Sequence, residues 1–380
     1  RVTILEASHV GAGSSSRTAA GIRQQFSTPN TVRGMRYSVR FYNAFQAHTG
    51  ADRAPIVSNG YLFLLNDEAA WHDAKARVQM QRSQGLHEAE ALDASQVAQR
   101  FPWVDSNAII GATYCPTDGF LLPSDVYQQA LIDARRHGAE LVQAAPVQSC
   151  RVTNGRIVSV QTPKGPFDAD VFVDCTNAWT RRLGQILGAQ DLPVDPIKRY
   201  LWFIKRDGSM SAEQLLSMPM TITPSGVYCR PENGDSLLVG HAHRTAPERT
   251  FSYEDQDRIE PAFAHTGDLD GAPFTAWMDL AEAMPPVGEF AGITATTSGY
   301  YATTPDHNPF FGYDAHLNNL VRLVGFSGHG AMFGPFSAKT GLALCEAGHD
   351  IHHVELDGEH LDLGAFRLDR SFDRHEQMVL

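Results

Sequence analysis

Apolar positions along the chain recur with two periods, and the changes of period outline the elements. From residue 29 to 50, PNTVRGMRYSVRFYNAFQAHTG puts Met35, Val39 and Tyr42 on one stripe, which predicts a helix capped at Asn30 or Thr31 and stopped at Gly50. VSNGYLFLL reads as strand, DEAAWHDAKARVQMQRSQG as a second helix ending at Gly85, and LDASQVAQRFP as a short third one. DGFLLPSDVYQQALIDARRHGAELVQAAPV is the clearest strand-helix-strand unit. Pro123 starts its helix, and Val126, Ala130, Leu131 and Ala134 share a face. Arg135 and Arg136 suit the C-terminal dipole, Gly138 ends the helix, and Ala139 to Val142 return as strand by a right-handed crossover.

Further on, Asn154-Gly155 marks a hairpin between SCRV and RIVSV, and DADVFVDCTNAWT predicts a buried strand running into a helix. From about Pro193 to Phe290 short strands take over: IKRYLWFIK, then GVYCRP joined to SLLVGHAH through Asn233-Gly234. The last unit, NNLVRLVGFSGHGAMFGPFSAKTGLALCEAG, predicts strand, glycine loop and a helix from about Pro335 to Gly348. No repeat and no low-complexity linker separates these units, so two domains are expected to be woven from alternating segments.

Length and composition narrow the class. At 380 residues the chain can bury the core of one or two domains, and 43% hydrophobic with 19% charged residues is ordinary for a soluble globular enzyme. A net charge of −12 gives no footing for nucleic acid. Five cysteines without a CxxC pair argue against a disulfide framework or zinc cluster and for a reducing, cytoplasmic setting. No apolar run approaches the ~20 residues of a membrane span.

The opening stretch, RVTILEASHVGAGSSSRTAAGIR, contains a glycine pattern in the wrong order for a dinucleotide fingerprint. In GxGxxG turns the glycines follow a strand and the ribose-binding acid comes about 20 residues later. Here Val2 to Leu5 run directly into Glu6, and Ser16 takes the third glycine position. Residues 1–6 therefore read as the second strand of a nucleotide domain, with its first strand and fingerprint expected upstream.

Gly325-Phe326-Ser327-Gly328-His329-Gly330, at a strand-to-helix crossing, is the strongest candidate for chemistry. Its glycines let a ligand approach the backbone, and the next helix offers unpaired N–H groups to an anion. A tight turn without a ligand explains the same residues, and so does a GxSxG nucleophile elbow with Ser327 as hydrolase nucleophile, though His329 breaks that spacing. His241 and His243 share a strand face that suits a metal, with no third ligand indicated, so no metal is expected.

In order along the chain, Glu6, GSSSRTAAGIR, DGFLLP, APV, VDCTNAWT, YCRPE, YYATTPDHNPFFG and GFSGHGAMF resemble the FAD-dependent amino-acid and amine oxidoreductases, the family of D-amino-acid oxidase, glycine oxidase, sarcosine oxidase and dimethylglycine dehydrogenase. The resemblance implies an α/β fold. A Rossmann-like FAD-binding domain lacking its first strand (residues 1–48, 119–190 and 299–365) interleaves with an α+β substrate domain on a largely antiparallel sheet (49–118 and 191–298), followed by a tail (366–380). It implies Glu6 and Ala7 at the adenosine ribose, Arg17 and Thr18 along flavin and pyrophosphate, Val147 at the adenine, and Asn177 and Trp179 after the sheet strand. Gly328, His329, Gly330, Ala331 and Met332 would pass the pyrimidine edge of the flavin. Each has a plainer reading: an exposed strand-end acid at Glu6, a solvated loop at Arg17 and Thr18, core packing at Val147 and a structural histidine at His329.

For the substrate, the resemblance makes Arg23 the carboxylate clamp, with a surface salt bridge as its plainer reading, and Tyr301 the active-site tyrosine beside Tyr300. His243 is favoured over His241 as the active-site histidine. Met332 replaces a family lysine, and Gly299 replaces a cysteine that carries covalent flavin in monomeric sarcosine oxidase, so the FAD is expected to be noncovalent there. The implied reaction is C–N oxidation of an amino acid or N-methylated amino acid, of the sarcosine, glycine, dimethylglycine or proline type, by hydride transfer to the flavin. Oxygen or another acceptor takes the electrons, and a homo- or hetero-oligomer fits as well as a monomer. A flavoprotein scaffold or assembly factor without turnover is the other reading.

Overall fold

The computed structural model describes residues 1–242, 247–249, 252–264, 272–373 and 375–378. Its largest sheet has eight strands, in the order Gly292–Thr303, Asp195–Lys205, Ser236–His241, Val227–Asn233, Met220–Ile222, Tyr61–Leu65, Gly111–Cys115 and Glu90–Asp93. All neighbours in it run antiparallel except Met220–Ile222 against Tyr61–Leu65. One face packs on the Ala272–Ala283 helix through Leu62, Trp202, Val239 and Leu280, forming one apolar core. A second core gathers Ile22, Phe26, Met35, Phe311, Phe333 and Phe336 between the Pro29–Asn43 and Gly330–Ala347 helices. The fold is thus mixed α/β with a large, mostly antiparallel sheet, as the resemblance implies.

Outside the large sheet the parallel strands form two separate pieces. Thr3–Leu5 pairs with Glu140–Val142, and Phe172–Asp174 pairs with Leu320–Val324, which Phe310–Tyr313 flanks. Among the described residues the outer edges of Thr3–Leu5 and Phe172–Asp174 carry no partner strand. Val173, expected in a buried strand, is 45% exposed. The helix Pro123–Arg136 starts at Pro123 as expected, yet none of its residues is fully buried.

Turn chemistry fixed several elements where expected. Asn154 and Gly155 both take positive φ (52° and 70°), closing the hairpin of Ser149–Thr153 and Arg156–Thr162. Two helix boundaries differ. Thr28, not Asn30 or Thr31, caps the first helix, because Pro29 occupies its opening turn, and the helix breaks at Ala44 before resuming as Phe45–Thr49. The last helix starts at Gly330, five positions ahead of Pro335. Proline has no N–H for the carbonyl four residues earlier, that of Ala331. The Tyr42 hydroxyl donates to that carbonyl instead, at 2.7 Å, so the helix runs through its proline.

Candidate active site

Arg23 leaves the short strand Gly21–Ile22 and turns into a cavity lined also by Thr18, Ala19, Ala20, Gly21, Tyr61, Met220, Tyr228, Tyr301, Gly328, His329, Ala331 and Met332. The guanidinium is 1% exposed and lies 4.5 Å from the Phe26 ring centroid, with Tyr61 and Phe63 at 5.6 and 5.4 Å. Its Nη2 donates to the Met378 carbonyl and sits 3.0 Å from His329 Nε2. Its Nε and Nη1 are buried with no acceptor among the described residues. A surface salt bridge is therefore not what Arg23 makes.

Burial, then the nearby Arg23 charge, hold the His329 imidazole well below its ordinary pKa, so it is neutral. A neutral ring beside a guanidinium accepts through Nε2, which leaves the proton on Nδ1, a buried atom without a partner among the described residues. His329 also caps the Gly330–Ala347 helix, whose first backbone bond runs from Phe333 N to His329 O at 3.0 Å. The amides of Gly330, Ala331 and Met332 precede that bond and have no partner within the helix.

Tyr301 meets Gly328 at close range. A Cβ on Gly328 would lie 2.3 Å from the Tyr301 ring, and its φ of +87° is glycine's. Burial pushes the Tyr228 hydroxyl well above the ordinary range, and its neighbour Tyr301 adds to this. Tyr300 does not share this wall. Strand alternation sends it to the opposite face, where it packs edge-on against Trp179 within the cluster of Ala178, Leu192 and Val194.

The other expected cofactor residues lie on a connected path from this cavity. Arg17 donates to the Ala12 and Gly13 carbonyls at 2.6 and 3.2 Å and pairs with Asp257 at 2.6 Å, so it braces its loop rather than being solvated. The Thr18 hydroxyl accepts from Ala20 N at 2.9 Å. Ser14 Oγ donates to the Tyr300 carbonyl, and Trp179 packs 3.6 Å from the Cβ position of Gly13. Trp179 stacks on Tyr253 at 5.0 Å, and burial, then the Glu6 charge, push the Tyr253 hydroxyl above its ordinary range. The half-buried Glu6 carboxylate accepts from Ser8 N at 2.8 Å across Ala7. Val147 packs on the core of Ile157, Leu187 and Leu320, in line with its plainer reading. Asn177, at φ 50°, accepts from the amides of Gly325 and Phe326 at 3.0 and 3.2 Å and so ties its loop to the glycine loop.

His243, the favoured active-site histidine, lies outside the described residues. Ser327 is 1% exposed, and its hydroxyl is held by Thr304 and the Gly325 carbonyl outside the cavity, which removes the support for an exposed nucleophile. Among the described residues no group of three metal-ligating side chains forms, and no helix is long and apolar enough to cross a membrane. Tyr61, Tyr228 and Met220 were not singled out from the sequence, because each reaches the cavity only through pairing in the large sheet.

The structure thus sets a sheet-backed cavity beside a glycine loop that opens a helix. The sequence profile of the DAO family, described as FAD dependent oxidoreductase, matches residues 1–343, and the chain belongs to that family. Among similar proteins, FAD-dependent oxidoreductase domain-containing protein 1 of Xenopus laevis is 27% identical over 368 residues, covering 87% of this chain and 69% of that protein. Human mitochondrial sarcosine dehydrogenase is 26% identical over 284 residues, 73% of this chain but 29% of that longer protein. The crystal structure of L-proline dehydrogenase from P. horikoshii superposes with a TM-score of 0.80 at 26% identity, covering 94% of this chain and 89% of that one. Glycine oxidase from Geobacillus kaustophilus, at 23% identity and a TM-score of 0.77, shares the fold. FAD is the cofactor of this family.

The residues present fit a flavin. The small-residue run Thr18 to Gly21 lines the cavity together with Gly328, Ala331 and Met332, beside the helix amides and His329 Nδ1, which has no partner among the described residues.

Proposed function

We propose that the chain oxidises the C–N bond of an amino acid or N-methylated amino acid whose carboxylate sits on Arg23. The observation that carries this reading is the buried guanidinium with two donors unused among the described residues, in a cavity whose lining includes no carboxylate. A buried cation without a counter-ion favours an anionic ligand, and a planar fork of donors matches a carboxylate. Among the described residues the lining shows no base shifted toward neutrality: burial holds His329 well below its ordinary value and the Tyr61 and Tyr228 hydroxyls well above theirs. The amine therefore enters as its free base, and the protein orients the reacting C–H rather than removing a proton.

FAD, when bound, supplies the two-electron acceptor for this step. Residues 18–21 and 328–332 would hold its flavin ring, with the amides of Gly330, Ala331 and Met332 placed to offset negative charge on the reduced form. Glu6 and Ala7 would hold the adenosine end, with Trp179 and Asn177 between, and the union would be noncovalent at Gly299. The domain division given from the sequence goes with this reading, since the cavity draws residues from both parts. Electrons leave to oxygen or another acceptor.

Anaerobic mixing of the FAD-loaded protein with sarcosine, dimethylglycine, proline, glycine and D-amino acids tests the proposal. The visible flavin absorbance is expected to bleach with at least one of them. A chromophore that light reduces but no amine bleaches would falsify the enzyme reading and favour the scaffold, for which Met332 in place of the family lysine is the supporting observation.

A further inference from the structure

Two carboxylates near Arg23 are buried, and neither touches it. Asp118, fully buried in the turn after Gly111–Cys115, accepts from Gln24 N and Gln24 Nε2 through Oδ1, at 2.9 and 3.0 Å, and from Gln25 Nε2 through Oδ2 at 3.2 Å. The same Gln25 amide donates to the Tyr61 carbonyl at 3.0 Å, and the Asp118 carbonyl accepts from Gly60 N at 2.9 Å. Asp118 thus ties the residue after Arg23 to the strand that carries Tyr61 into the cavity. Burial pushes its carboxyl up to about 6, the three donors working against that rise.

Glu376, 2% exposed, does the same from the other side. Its Oε1 accepts from Ser27 N, Ser27 Oγ and Met378 N at 2.8, 2.6 and 3.0 Å, and its Oε2 from Thr28 Oγ1 at 3.3 Å. A carboxylate directed at Arg23 would pair with it and block an incoming one. Directed instead at Gln24–Gln25 and Ser27–Thr28, the two acids fix the segment while the guanidinium keeps two free donors among the described residues.

We propose that Asp118 and Glu376 are the positioning residues of the substrate site, clamping the segment after Arg23 at both ends so that its guanidinium is held ready for a carboxylate, with Nε and Nη1 left without a partner among the described residues. The inference rests on the Arg23 reading above. Asp118→Asn places an amide N–H against the Gln25 amide, which cannot flip without losing the Tyr61 carbonyl.

The test titrates acetate into the full-length FAD-loaded protein, follows the flavin difference spectrum, and uses acetamide as the uncharged control. Asp118→Asn and Glu376→Ala are each expected to weaken acetate at least about tenfold, with acetamide response and FAD content unchanged, and Asp118→Glu to recover part of the loss. On the amine that bleaches the flavin, KM should rise while kcat holds. If Arg23→Ala abolishes acetate binding while both acid variants keep it within about twofold of wild type, the clamp is wrong and the Arg23 reading stands. If Arg23→Ala binds acetate as wild type does, the Arg23 reading itself falls. Should Asp118→Asn not fold, Glu376→Ala decides alone.

Discussion

Two arginines in this molecule are each 1% exposed, and their surroundings differ in one respect. Arg322, in the Leu320–Val324 strand, has Asp174 3.0 Å from its Nε, Asp314 2.8 Å from its Nη1 and the Thr180 hydroxyl 2.6 Å from its Nη2. Arg23 has a histidine nitrogen, one main-chain carbonyl and no carboxylate among the described residues. Equal burial with unequal pairing separates an arginine that holds the fold from one that waits for a ligand. The ion-paired one has its charge cancelled twice over, although its Nε makes no aligned hydrogen bond, whereas Arg23 keeps an electrostatic deficit that no described residue corrects.

Replacing each arginine in turn should break the symmetry of burial. Arg322→Met leaves Asp174 and Asp314 buried without their cation, so stability is expected to drop by about 3–5 kcal/mol in denaturant unfolding, the largest effect. A loss below about 1 kcal/mol would show that the ion cluster is not structural. Arg23→Ala should leave the unfolding midpoint nearly unchanged or raise it, because an incompletely paired buried charge is removed. Its effect belongs in kinetics: KM for an amino-acid substrate should rise about 100-fold while a neutral amine is little affected. Equal effects on both amines would refute the clamp.

The smallest effect concerns the histidine beside Arg23. The folded pKa of His329 is depressed below the ordinary 6.5, so under mildly acidic conditions the unfolded chain binds a proton that the folded chain refuses. Stability contributed by the neutral ring is therefore complete above about pH 7 and lost as pH falls below about 6.5, by up to about 1.4 kcal/mol per pH unit. His329→Gln should flatten that slope, as read by thermal unfolding between pH 7 and 5. An unchanged slope would mean that the ring titrates in the fold as it does in the unfolded chain, and the depressed pKa would be wrong.

Local chemistry made much of the fold legible. Asn154-Gly155 and Pro123 act through their own backbone angles, so a window of a few residues contains what decides them. The start of the last helix was not legible because the partner of its orphaned carbonyl, Tyr42, lies 289 residues away. The site divides in the same way. Arg23, Tyr301 and Gly328 to Met332 sit in motifs that announce them, and the cavity holds all of them. Asp118 and Glu376 act across 94 and 349 residues of chain, and an isolated aspartate in a turn or a glutamate near the end of the sequence has no pattern to mark it. Tyr61 and Tyr228 read only as strand residues, since which face of a strand turns inward depends on register with a distant neighbour.

The Met378 carbonyl on Arg23 makes the 375–378 stretch part of the site rather than a competitor for it. A newcomer would take the free Nε and Nη1 while the backbone keeps Nη2, so the hold of Glu376 on Met378 N sets part of its observed dissociation constant. That stretch is held by Ser27 and Thr28 at the mouth of the Pro29–Asn43 helix, so a spectroscopic label on Gln377 would register occupancy of the chamber from outside it.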